Sequence, residues 1–361
     1  MSPTISLLLL IGFFAGPPAT WRETVLPQTV SCRAVSVSPN GKTLCIAGAG
    51  PRVWISTDGG DEWNERTPSI PGVTDYRCAV QPTNETLLIA SAGSPAVILR
   101  SDDLGQHWKT AYKNDHPSAF IDSMKFWDAK RGIAFGDPVD GRFLLMQTTD
   151  GGATWNAIDG VPPALDGEAG FAASNQSIAV FGDGNCVIGL GGQTKTDARV
   201  LLGEQFGTKW SGCHILNGHD GPSKGIFAIA ADSRPEVGKM PTLIAVGGDY
   251  KNPQQRAGNF AISVDAGRTW SANVETAPGG YRSSIIHIPG SSSGAKTARW
   301  IATGPTGTDI SEDGRAWRPH SLTGFHALAG WKGHSIANEN PPRQVSRFIA
   351  VGSEGRVGHS R

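Results

Sequence analysis

Short apolar runs alternate with clusters of Gly, Pro, Asp and Asn along almost the whole chain. Residues 119–127 (AFIDSMKFW) set the pattern, alternating in and out with a period of two, as a strand with two unlike faces does. A turn follows at 128–132, a return run at 133–135, a second turn at 136–141 and a third run at 143–147. The stretch 148–155 (TTDGGATW) turns again, and 155–158 climbs away. Residues 33–38, 43–47 and 52–56 repeat the arrangement, with Pro39-Asn40-Gly41-Lys42 as the first hairpin signal. Beyond the first twenty residues no long helical period appears, so the chain reads as all-β, built from units of four short antiparallel strands.

The turn at 148–155 marks the unit. Ser/Thr-x-Asp-x-Gly-x-x-Trp recurs at 56–63, 101–108 and 263–270, a shortened copy stands at 311–317, and 203–210 keeps only the Gly and the Trp. The Asp carboxylate suits turn N–H groups, the Gly supplies a positive φ, and the Trp enters the next strand. The structural residues of these turns are Asp58, Trp63, Asp103, Trp108, Asp150, Trp155, Asp265, Trp270, Asp313 and Trp317. With Trp21 and Trp210 the tryptophans mark seven units at steps of 42 to 60 residues. The last unit finds only three strands, at 325–329, 348–351 and 356–358, while 333–347 reads as a polar surface loop. Residues 21–26 are expected to supply the missing strand. The fold expected is a seven-bladed β-propeller of four-stranded antiparallel blades, one domain over 21–361, its ring closed by the N-terminal strand joining the C-terminal blade.

Composition agrees, with 47 Gly and 24 Pro against 4 Met. Lys+Arg and Asp+Glu both number 32, so the zero net charge speaks against nucleic acid as a partner. Residues 5–15 are apolar at the length of a secretory core, although no Lys or Arg precedes them, and 1–20 is read as an export signal or anchor of a periplasmic or extracellular protein. The five cysteines lack metal or redox spacing and read mostly as small buried hydrophobes. Neither the histidines nor the turn aspartates are spaced for a metal, and no cofactor is expected. The esterase-like Gly290-Ser291-Ser292-Ser293-Gly294 falls in a turn with no helix after it.

Strand counting then sorts the loops. If the marker turns join third and fourth strands, the entrances to the first strands share the opposite face with the second turns. The entrances carry Arg33, Arg77, Asp122, Glu168, Ser223, Arg282 and His326; the second turns carry Asp137, Arg142, Lys195, Asp249, Tyr250, Lys251 and Asp309. Ordered by unit, a basic half formed by Arg282, His326, Arg33 and Arg77 is expected to face an acidic half formed by Asp122 and Glu168. Converging guanidiniums grip carboxylates and phosphates.

The marker turns resemble the BNR or Asp-box repeats of sialidase-type propellers. The segments 119–122, 126–128, 136–143, 247–251 and 280–283 are similar to those of bacterial propellers related to the photosystem II stability and assembly factor. That resemblance implies a non-catalytic, monomeric assembly or binding protein holding a protein segment, with membrane-protein clients in view, or an anionic small molecule or glycan. Its ligand-binding residues would be Arg33, Arg77, Asp122, Asp137, Arg142, Glu168, Asp249, Tyr250, Arg282 and His326. The sialidase resemblance implies a competing glycoside hydrolase, with Arg33, Arg77 and Arg282 on a carboxylate, Glu168 with Tyr281 or Tyr250 as nucleophile pair and Asp122 as acid. Structural ion pairing across a narrow channel explains the same charges without any ligand.

Overall fold

The computed structural model describes residues 21–192, 198–216, 221–232, 238–290, 299–336 and 343–360; the side chains of 213–216, 332–336 and 343–347 are outside that description. The described residues form seven antiparallel sheets and one helical turn, Ser353–Gly355. In the first sheet Cys32–Val37, Leu44–Gly48, Arg52–Ser56 and Asn64–Glu65 lie side by side in chain order. Ser123–Phe126, Gly132–Val139, Arg142–Thr148 and Asn156–Ala157 repeat that order in the third. Register places the marker turns: Leu44 pairs with both Val37 and Ser56, and Gly132 with both Phe126 and Thr148. Each of these turns is therefore level with the far end of its first strand, away from Arg33 and Asp122.

Packing between sheets explains the dense apolar runs. Cys45 and Ala47 pack with Leu87 and Ile89 of the second sheet, whereas Leu44 and Ile46 pack with Ile349 and Val351 of the seventh. A strand buried on both faces carries apolar residues at successive positions. Six clusters join consecutive sheets and a seventh joins the last to the first. Arg22–Val25 pairs with Arg356–His359, completing the seventh sheet from the other end of the chain.

The marker turns are built as their chemistry suggests. Thr148 Oγ1 accepts from Gly152 N–H at 2.9 Å and donates to Asp150 at 2.7 Å, and Asp150 also accepts from Thr154 N–H and Oγ1. Burial works to raise the Asp150 carboxyl, but these hydrogen bonds prevail and hold it at about 2. The glycine has a second reason to be there. At Gly152, φ is +83° and a Cβ would collide with Leu88 of the preceding sheet.

Two expectations change. The sheets are not uniformly four-stranded. The fifth gains the short pieces Glu168–Ala169 and Gly191–Gly192 beside Gly221–Ala231, while its outer position is reduced to one bridge between Ile262 and Ser271. Glycines at 191 and 225 permit that approach, since a Cβ at Gly191 would stand 2.6 Å from Gly225 Cα. The supposed loop at 333–347 contains the ends of a long hairpin, Ala327–Ile336 against Arg343–Val351. Main-chain pairing there needs no alternating apolar face. Cys32, Cys45, Cys78 and Cys186 are buried free thiols, and burial pushes Cys32 and Cys186 up to about 12. Residues 1–20, Lys195 and 291–294 lie outside the described residues.

Candidate functional site

At the entrances of the first strands opens a cavity of about 420 Å³. Arg33 and Arg77 reach it from the first and second sheets, Asp122 and Asp137 from the third, Phe227 and Tyr250 from the fifth, and His326 from the start of the seventh. Tyr281 and Phe171 complete the wall from connecting segments.

Arg33 has no ion-pair partner among the described residues, although Asp75 favours its charge from a distance. Its Nε is buried without a hydrogen-bond partner among the described residues, and burial and neighbouring Arg77 both oppose its charge. Arg77 is already paired, its Nε 2.7 Å from Asp75. His326 adds no cation: burial first, then Arg33, pull it down to about 4. Its Nδ1 lies 3.0 Å from the Cys32 carbonyl oxygen, which can only accept, so Nδ1 carries the proton and Nε2 is left as an acceptor.

The facing carboxyls are not ordinary anions. Asp122 is 1% exposed, with Oδ2 unpartnered among the described residues, and burial reinforced by Asp137 holds its carboxyl well above the usual range. Burial also raises Asp137, although Gly170 N–H donates to it at 2.9 Å. Burial thus opposes ionisation of the two carboxyls that face Arg33 and Arg77.

An aromatic wall joins them. Phe171 and Phe227 stack with centroids 3.9 Å apart, and Tyr281 meets Phe227 edge-on at 4.8 Å. Burial pushes the Tyr281 hydroxyl up, so it stays a neutral phenol. The two phenylalanines escaped the sequence reading, which collected polar residues at the strand entrances. Ala169-Gly170-Phe171, just before a first strand, was the available signal.

Four of the expected ligand residues lie elsewhere. Glu168 is held by Arg199 through two contacts of 2.6 Å, and Arg282 is buried against Asp309 at 2.5 Å. Asp249 folds back on its own turn, accepting from Lys251 N–H at 2.9 Å and Asn252 Nδ2 at 2.7 Å, and Arg142 points to solvent. The supposed catalytic set is accordingly divided: Asp122 and Tyr281 line the cavity, while Glu168 serves a buried ion pair. Ion pairing that a linear sequence cannot display consumed the charges of Glu168 and Arg282.

Next to the cavity runs a polar segment, 174–176. Ser174 donates to the Ser283 carbonyl at 2.6 Å, Asn175 links Ala79 and Met124, and Gln176 donates to Leu328 while accepting from Ser284 and Ile285. Three consecutive residues thereby tie the second, third, sixth and seventh sheets together.

No family model matches the chain, and no curated protein matches it. Solved structures do. A YCF48 from Cyanidioschyzon merolae aligns at TM-score 0.59 and 15% identity, over 95% of this chain and 99% of that one. A structure described as YCF48 bound to D1 peptide aligns at 0.58 and 15%, over 95% and 98%. The GH74 xyloglucanase from Xanthomonas campestris aligns at 0.57 and 15%, over 89% of this chain and 51% of that one. At these identities the likeness is one of fold, and the chain resembles YCF48 in that sense.

Proposed function

We propose that the chain is a seven-bladed β-propeller, its ring closed by Arg22–Val25, and that it is a non-catalytic binding protein. The ligand is an extended protein segment presenting a carboxylate, either an acidic side chain or a C-terminus, to Arg33 and Arg77. The observation that carries this reading is the unpaired Arg33 beside a second guanidinium and against the Phe171, Phe227 and Tyr281 wall. A carboxylate there relieves a like-charge contact and completes open donors, and the apolar body beside it covers the aromatic face. A protein of similar fold has been solved with a peptide, which supports the class of ligand. The apolar 5–15 run supports an exported location.

For a sialidase-like hydrolase the expected nucleophile pair is split, because Arg199 holds Glu168 while Tyr281 and Tyr250 stay at the cavity. Burial raises the Asp122 and Asp137 carboxyls, which works against either as the carboxylate partner of those tyrosines.

The test is a display selection on peptides with free C-termini, followed by fluorescence anisotropy of the winners. Arg33→Ala is expected to weaken binding roughly 10- to 150-fold, the worth of a charged hydrogen bond, with an unchanged circular dichroism spectrum. Replacing the peptide's carboxylates by amides should do the same. Equal binding by Arg33→Ala would remove the basis of the proposal.

A further inference from the structure

A second well adjoins the same 174–176 segment. Its cavities, of about 290 and 210 Å³, share Lys125, Gln176, Ile286 and Gly330 as walls. Val35, Val80, Ile178 and Leu328 supply apolar surface. The carbonyl oxygen of Gln176 already accepts from Ser284 and Ile285, and the neutral Gln81 Oε1, buried without a partner among the described residues, remains an acceptor in the wall of the larger cavity. Among the described residues the neighbouring Cys78 thiol is the charge-bearing group that acts on the Lys125 amine, and burial keeps the thiol protonated. His287, in the smaller cavity, lies 3.4 Å from Asp232. Lys125 is thus a cation without a carboxylate partner among the described residues, set in a wall of mixed aliphatic and neutral polar groups, and burial pulls it down to about 8.

We infer that this well is a second binding site, for a small aliphatic monocarboxylate whose head pairs with Lys125 and whose tail lies among the inner-strand valines and isoleucines. A cation with no carboxylate partner gains from a single anion, and the tail covers the valine and isoleucine part of the wall, which water wets poorly. The space suits a ligand at the small end of the usual range, roughly 300 Å³ upward. The site is separate from the Arg33 cavity and does not depend on what that cavity holds.

Calorimetric titration of the full chain with octanoate tests it, beside 1-octanol and octylamine of equal tail length. Octanoate is expected to bind, and Lys125→Met, which keeps the stem and removes the charge, to weaken it roughly tenfold or more. Both alcohol and amine should bind more weakly than the acid. Repeating the titration at pH 8 in two buffers of different ionisation enthalpy should reveal uptake of up to about half a proton per octanoate, as the partly deprotonated amine recharges. The Lys125→Met protein should lose that uptake, and its melting curve verifies that it is folded. Octanoate binding unchanged by Lys125→Met, octanol binding as tightly, or no octanoate binding by wild type at millimolar concentration would each overturn the inference.

Discussion

Glu168→Gln removes the charge from a buried pair while keeping its shape. Arg199 and Glu168 are 8% and 5% exposed, and the guanidinium meets both carboxylate oxygens at 2.6 Å. Arg199 also donates to the Pro163 carbonyl, and Leu165 N–H donates to Glu168. Stranding one charge of such a pair costs about 3–5 kcal/mol, and the surviving bonds to Gln place this case near the lower end. Unfolding entropy of about 2.1 cal/mol/K per residue over roughly 340 residues is about 0.7 kcal/mol/K, so the melting temperature should fall by about 4–7 °C. Scanning calorimetry measures this directly. Glu168→Met with Arg199→Met should recover most of the loss, because the double variant strands no charge. Peptide affinity at the Arg33 cavity should match wild type in both. A Glu168→Gln protein melting within 1 °C of wild type, or a double variant worse than the single, would refute the assignment of Glu168 to structure.

Three further outcomes are expected. Asp122 binds its proton more tightly folded than unfolded, so its contribution to stability falls as pH rises from the unfolded carboxyl value, about 4, toward its raised native value. Asp122→Asn should therefore raise the melting temperature at pH 7 and make little difference at pH 4, as thermal melts across pH will register. Gln176→Ala strands the Leu328 carbonyl and the Ser284 and Ile285 donors; a loss of about 3 kcal/mol in urea unfolding, with unchanged peptide affinity, is expected. Gly152→Ala forces a left-handed residue against Leu88 and should cost roughly 2–4 kcal/mol by the same measurement.

What the sequence discloses here is local chemistry and its period. Ser/Thr, Asp, Gly and Trp make a turn from neighbours in the chain, so counting such turns yields strand order, and strand order alone brought Arg33, Arg77, Asp122 and His326 to one cavity. Second turns and a connecting segment added Asp137, Tyr250 and Tyr281. Pairing across sheets has no such signature. Nothing near Glu168 announces Arg199, thirty-one positions later, and nothing near Gln176 announces Leu328. The same blindness hid the stack of Phe171, in a connecting segment, on Phe227 of the fifth sheet. The polar run Ser174-Asn175-Gln176-Ser177 at a first-strand entrance was visible, but its meaning depends on partners from four sheets that meet only once those sheets assemble.

The pairing of Arg22–Val25 with Arg356–His359 sets a schedule for synthesis. Translation at about 5–20 residues per second needs roughly 20–60 s to travel from one strand to the other. For that interval the earliest strand has no partner, and the first sheet lacks the neighbour that covers Leu44 and Ile46. Six inter-sheet layers can form progressively behind the ribosome, whereas the seventh waits for the C-terminus. A nascent chain stalled short of residue 356 should accordingly stay protease-sensitive at Val25 and recruit holding chaperones until the last strand emerges.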